Sequence, residues 1–314
     1  MATARTALRS QAKIAASDIK SDLDLSRGEL LGLLDLTKSV KASPSSYARS
    51  LSGRYLTLLF EKPSLRTRLT FELAIKQLGG DAVVSTGPIG DREPIKDVAR
   101  NLDRWTNGIV ARVFSQHTIE ELARWSNVPV INALSDLYHP CQAFADVFTL
   151  QEHFGSVRGL KLAYIGDGNN VAHSLMLNAV RLGMNVSIGC PEWYEPNAGI
   201  VAQAQALAAV CDASVEITHD PDQAVAGAHA VYTDVWTSMG QENEKEQRRA
   251  VFAPYQVNAE LFVKADSDAV FLHCLPAKRG EEVTDEVIDS PQSVVFDQAE
   301  NRLHVQKALL LGLL

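Results

Sequence analysis

The sequence predicts an α/β protein of two doubly wound parallel-sheet domains joined by long helices. Three observations predict it. Short apolar runs of strand length alternate with stretches of helical periodicity along most of the chain. The alternation pauses at one long helical stretch, Pro140–Phe154, and then restarts. The 314 residues suffice for two domains of ~100–200 residues each.

Taken in order, Leu30, Leu31, Leu33, Leu34 and Leu36 mark an amphipathic helix from Arg27. Tyr55–Phe60 reads as a strand, and Arg66–Leu78 as a helix closed by Gly79-Gly80. Strands Ala82–Ser85, Ile109–Phe114 and Val128–Asn132 then alternate with helices Ile95–Trp105 and Ile119–Trp125. After Pro140–Phe154 comes the polar segment Gly155–Lys161. The second series has strands Leu162–Ile165, Val186–Ile188, Ser214–Ile217, Ala230–Thr233 and Ala269–Leu272. Helices Ala172–Leu182 and Gly199–Val210 lie among them, and Gln298–Leu314 is a final helix. Such alternation implies parallel sheets covered by helices on both faces. The domain expectation is residues 1–150 and 151–296, with the helix at about 297–314 packing back on the first.

Apolar residues make up 46% and charged residues 22%, an ordinary globular balance. The formal net charge of −8 gives no general attraction to nucleic acid or anionic membrane, so any anion site must be local. No apolar run approaches the ~20 residues of a membrane span. Cys141, Cys190, Cys211 and Cys274 show neither disulfide-framework nor zinc-site spacing, which suits a reducing cytoplasm. The first ~20 residues carry Arg5, Arg9 and Lys13 without the apolar core of a secretory signal. They read as a frayed tail, with a transit peptide as the alternative.

In open parallel sheets, ligands bind beyond the carboxyl ends of strands. Several candidate residues and motifs fall there or near a helix start. Ser64-Leu65-Arg66-Thr67-Arg68 sits where a strand ends and a helix begins, and free N–H groups with hydroxyls and arginines suit phosphate. Two arginines in a first helical turn oppose the helix dipole unless an anion offsets them. Arg112 ends an apolar strand; the plain alternative is an inter-domain salt bridge. His139 and Gln142 open the long helix as donors, or His139 is a buried cap residue.

Gly166-Asp167-Gly168-Asn169-Asn170 is half a dinucleotide fingerprint, with Val171 where a third glycine would stand. It reads as NAD-binding, as an amino-acid-binding turn, or as an ordinary turn. Asp234-Val235-Trp236-Thr237-Ser238-Met239-Gly240 offers an acid for an amine, or an ion pair with Lys245 or Arg248. His273-Cys274-Leu275-Pro276 suggests a nucleophilic thiol or a turn filler. Arg302 adds one more cation near the start of the last helix.

As an ordered set, these motifs resemble the aspartate/ornithine carbamoyltransferase family, from about Asp24 onward. Ser-x-Arg-Thr-Arg and His-Pro-x-Gln are similar to the family's shared carbamoyl phosphate site. Asp-x-Trp-x-Ser-Met-Gly and His-Cys-Leu-Pro are similar to its ornithine branch. The resemblance implies that Ser64, Leu65, Arg66, Thr67, Arg112, His139, Gln142 and Arg302 bind carbamoyl phosphate. It implies that Asn170, Asp234, Ser238 and Met239 bind ornithine, and that Cys274 and Leu275 touch both substrates. The catalytic set would be Arg66, His139, Asp234 and Cys274. It further implies citrulline and phosphate as products, no metal or organic cofactor, and a homotrimer.

Two departures stand out. Leu65 replaces a common threonine. In the loop Gly87–Glu93, Pro88 stands where ornithine enzymes usually carry a glutamine that serves a neighbouring subunit. Proline has no side-chain donor and no N–H, so Arg92 becomes the candidate substitute. The competing readings are a carbamoyltransferase for N-acylated ornithine or putrescine, a nucleotide-dependent dehydrogenase, and a metabolite-binding paralogue without activity.

Overall fold

The computed structural model describes residues 14–237 and 242–314. Ser238 and Met239 therefore lie outside the described residues, as does the segment 1–13. The chain divides into two units, one running to Phe144 and rejoined by Asn301–Leu314, the other Ala145–Glu300.

The first unit holds a parallel sheet of β1 (Tyr55–Phe60), β2 (Asp81–Thr86), β3 (Gly108–Arg112) and β4 (Val130–Leu134) in the order β2-β1-β3-β4. Every residue of β1 after Tyr55 is buried, as expected for a central strand covered on both faces. β2 lies at the edge and alternates between half-buried and exposed. Leu59, Ile109, Ala111, Ile119, Leu122 and Val130 form part of one core cluster between sheet and helices. The helix Leu65–Gln77 leads from β1 and ends at Gly79, whose φ of 93° favours glycine. A Cβ on the following Gly80 would stand 2.5 Å from the Arg54 carbonyl.

The second unit holds a five-stranded parallel sheet of β5 (Lys161–Ile165), β6 (Asn185–Gly189), β7 (Val215–Thr218), β8 (Ala230–Thr233) and β9 (Val270–His273). Its order is β7-β6-β5-β8-β9. The strand order reverses between β1 and β3 in one sheet and between β5 and β8 in the other. Beyond those paired strand ends an α/β sheet leaves its crevice. The α/β class and the two parallel sheets are as the sequence predicts. Two helices run from one unit into the other: Pro140–Phe154 and Val295–Leu313. Among the described residues, no helix is long and apolar enough to cross a membrane.

Several boundaries differ from expectation, each for a local reason. β3 stops at Arg112 rather than Phe114, because its register with β4 shifts between Ala111 and Arg112 and the Phe114 N–H turns to Glu61 Oε2 (2.7 Å). β4 starts two residues late, because Ser126 Oγ bonds both the carbonyl (2.9 Å) and the N–H (3.1 Å) of Val128. The last helix begins at Val295, so Arg302 lies about two turns inside it rather than at its opening. The segment around Ile19, expected to fray, bonds both Val130 (2.8 Å) and Asn132 (2.7 Å) of β4 through its backbone. Short helices at Pro221–Val225, Lys245–Phe252, Ala259–Phe262 and Asp285–Ile288 carry too little periodicity to read from sequence.

Candidate functional site

In the first unit, the expected phosphate turn lies beyond β1. Ser64 precedes the helix Leu65–Gln77 with extended backbone (φ −151°, ψ 115°), and its hydroxyl makes no capping bond. The first N–H groups of that helix have no intrahelical acceptor. Leu65 is 69% exposed, which fits a position contributing through its backbone. Thr67 is fully buried, and its hydroxyl oxygen receives Arg302 Nη2 (2.7 Å) and Arg112 Nη1 (3.4 Å). Arg112 thus reaches the helix start within its own unit. Arg68, the second arginine of the run, lies on the surface 3.9 Å from Glu72.

His139 enters from the loop after β4 and is 4% exposed. Burial first, then the positive charges of Arg302 and Arg112, push its pKa well below the usual 6.5, so the ring is neutral at neutral pH. A buried triad holds its loop. Ser135 Oγ donates to Gln116 Oε1 (2.6 Å), and Asn132 Nδ2 donates to both Gln116 Oε1 (3.2 Å) and Ser135 Oγ (3.2 Å). The Tyr138 N–H bonds Ser135 Oγ (3.1 Å). The His139 carbonyl then receives Gln142 N (3.1 Å), starting the long helix. Gln142 is itself buried one turn along.

In the second unit, Asp234 follows β8, and its carboxylate accepts from Asn169 Nδ2 (3.1 Å) and Cys274 Sγ (3.0 Å). Asn169 also caps the helix Asn170–Arg181. So Asn169 touches Asp234, while Asn170 is the first helical residue. The alternative pairing of Asp234 with Arg248 does not form; Arg248 pairs with Asp167 Oδ2 (3.1 Å) instead. Burial raises the Asp167 carboxyl to about 6 against the opposing pull of Arg248.

His273, Cys274 and Asp234 lie close enough to suggest a metal cluster. The hydrogen bonds oppose that reading. His273 Nδ1 accepts the Leu275 N–H (2.8 Å), which leaves Nε2 to donate to Glu282 Oε1 (3.2 Å). With both nitrogens engaged, His273 is also not the base that a nucleophilic Cys274 would need. The dinucleotide reading meets a steric objection. A Cβ at Gly168 would stand 2.2 Å from Pro196 N, because the chain after β6 packs directly on that glycine. Gly168 admits the protein's own loop where a cofactor reading needs room for pyrophosphate.

Family models match both units. The carbamoyl-P binding domain of aspartate/ornithine carbamoyltransferase matches residues 18–152, and the Asp/Orn binding domain of the same family matches 158–313. The chain belongs to the aspartate/ornithine carbamoyltransferase family. The ornithine carbamoyltransferase of Thermococcus kodakarensis is 50% identical over 302 residues, 95% of this chain and 96% of its own. The anabolic ornithine carbamoyltransferase of Pyrococcus furiosus is 48% identical, again over 95% and 96%. The solved ornithine carbamoyltransferase structure from Pyrococcus furiosus superposes with a TM-score of 0.92, covering 95% of this chain and 97% of that one.

The sequence offers Arg248 only as a partner for Asp234 and gives no sign of the Asp167–Arg248 and Asn169–Asp234 pairings or of the Gln116–Asn132–Ser135 triad. Asn169 and Asn170 are adjacent asparagines that only the backbone can distinguish. Arg248 sits in the polar run Lys245–Arg249, where nothing in the spacing points it to Asp167.

Proposed function

We propose that this chain transfers the carbamoyl group of carbamoyl phosphate to the side-chain amine of L-ornithine, giving L-citrulline and phosphate. The observation that carries the proposal is the convergence of Arg112 and Arg302 on Thr67 at the start of the helix Leu65–Gln77. That arrangement suits a small phosphorylated anion. The unit with β1–β4 takes the donor, and the unit with β5–β9 takes the acceptor. Relatives at 48–50% identity named for ornithine favour it over N-acylated ornithine or putrescine, and the anabolic relative favours a role in arginine biosynthesis.

The chemistry follows from the residues. Backbone N–H groups at Leu65–Thr67, the Ser64 hydroxyl, Arg66, Arg112 and Arg302 bind the phosphate. His139, neutral because it is buried, donates an N–H to the carbamoyl oxygen, and Gln142 supports it. Asp234 orients the amine, with Ser238, Met239 and Asn170 holding the amino-acid end. The amine must be neutral to attack. Its lone pair adds to the carbamoyl carbon, the carbon–oxygen bond to phosphate breaks, and the proton the amine sheds passes to the departing phosphate. Developing charge on the carbamoyl oxygen is met by Arg66 and His139. Cys274 donates to Asp234 and acts by orientation, while Leu275 contributes through its loop. No step calls for a metal or organic cofactor.

Assembly as a homotrimer is part of the proposal, as is Arg92 in place of the loop glutamine. A cytoplasmic setting suits the four free cysteines. Incubation with carbamoyl phosphate and ornithine should yield citrulline, with aspartate, putrescine and N-acetylornithine as competing acceptors. A folded protein that makes no citrulline would overturn the proposal.

A further inference from the structure

Arg248 is only 5% exposed on a helix whose neighbouring side chains face solvent. Arg249 beside it is exposed and pairs with Glu281 (3.1 Å) on the surface. Burying a guanidinium is costly unless every face is compensated. Here Nη1 meets Asp167 Oδ2 (3.1 Å) and the Trp236 carbonyl (3.0 Å), and Nε donates to Glu244 Oε2 (2.9 Å). The rings of Tyr194 and Phe252 flank it at 4.9 and 5.9 Å.

What the guanidinium joins matters more than its own burial. Asp167 belongs to the turn after β5, immediately before Gly168-Asn169-Asn170. Trp236 belongs to the segment after β8, two residues beyond Asp234. Asn169 already bonds Asp234 (3.1 Å) across these two segments. Arg248 ties the same two segments a second time, through Asp167 and the Trp236 carbonyl. The links Asp167–Arg248–Trp236 and Asn169–Asp234 close a ring around the switch point between β5 and β8.

We propose that Arg248 is a positioning residue for the acceptor: it sets the Asn169-Asn170 turn against Asp234 without touching the substrate. This rests on the acceptor reading given above. Lysine offers one compact head and cannot serve Asp167 and the Trp236 carbonyl as a fork does. The test is steady-state kinetics on the full-length enzyme with R248K, and with R249A as a surface control. R248K should raise the KM for ornithine ~10-fold or more while the KM for carbamoyl phosphate stays within ~2-fold. R249A should match wild type in both. If R248K does not fold, D167N removes the charge while keeping the shape, and it should show the same selective rise. An unchanged ornithine KM, or equal weakening of both substrates, overturns the positioning role. A wild-type enzyme that makes no citrulline overturns the acceptor reading first, and the positioning role with it; that control precedes any variant.

Discussion

Arg302 donates to the hydroxyl of Thr67 at 2.7 Å across 235 positions of sequence, and Arg112 approaches the same oxygen at 3.4 Å. The hydroxyl therefore fixes two cations beside the proposed phosphate turn. T67V keeps the volume and removes that acceptor. Removing one hydrogen bond to a charged group costs ~1.5–3 kcal/mol, so kcat/KM for carbamoyl phosphate should fall ~10–150-fold. Initial rates at varied carbamoyl phosphate check this, and an unchanged value would remove Thr67 from the site.

His139 gives a pH signature. Its folded pKa lies well below the ordinary 6.5, because burial and two arginines oppose the charged form. Between those two values the unfolded chain binds a proton that the folded chain does not. Stability is therefore lost as pH falls below about 6.5 and levels off only below the folded value. Urea unfolding from pH 7 to 5 should show this acid limb, and H139N should flatten it. Equal slopes for both proteins would mean that another group carries the limb.

Cys274 and Asp234 separate orientation from nucleophilic catalysis. C274S keeps a donor to the Asp234 carboxylate and should retain much of the activity. C274A removes the donor and should lower kcat ~10–100-fold. Near-complete loss in C274S, with a trapped acyl-enzyme in wild type, would restore the covalent reading.

The loop carrying Pro88 is held from beneath: Glu61 accepts the Ile89 N–H (3.1 Å) and the Phe114 N–H (2.7 Å). If Arg92 serves the donor in place of glutamine, R92A should raise the KM for carbamoyl phosphate ~10-fold and leave that for ornithine in place. A wild-type KM in R92A would assign the task elsewhere. Sedimentation of wild-type protein tests the trimer alongside.

Gly168 tests the rejected cofactor. G168A places a Cβ 2.2 Å from Pro196 N, so it should lower the melting temperature sharply. Wild-type protein should show no NAD binding in calorimetry. A tolerated alanine, or tight NAD binding, would revive the dinucleotide reading.

The strands were legible because a parallel strand covered on both faces is a continuous apolar run; β1 and β8 match their expected limits residue for residue. Several motif residues were legible because they lie near strand ends, where core packing does not account for a charge; Arg302, inside the last helix, was legible only through the resemblance. Pairings were not legible. Thr67 with Arg302 is a contact of high sequence separation, and no local spacing encodes it. Asp167 looked like the middle of a glycine turn, and its pairing with Arg248 depends on how the helix Lys245–Phe252 folds back. Ser115 capping of the helix Gln116–Trp125 and the bulge at Arg112 moved boundaries by a few residues, since such ends are set by single hydrogen bonds.

The first unit is discontinuous along the chain: its sheet lies between Tyr55 and Leu134, while Arg302 follows the whole of Ala145–Glu300. During synthesis the acceptor half is therefore complete before the donor half can receive its last cation. A nascent or prematurely terminated chain that stops short of Arg302 carries both sheets and leaves Thr67 without that arginine. Under the role proposed for Arg302, the phosphate site is completed only after the other unit has been made.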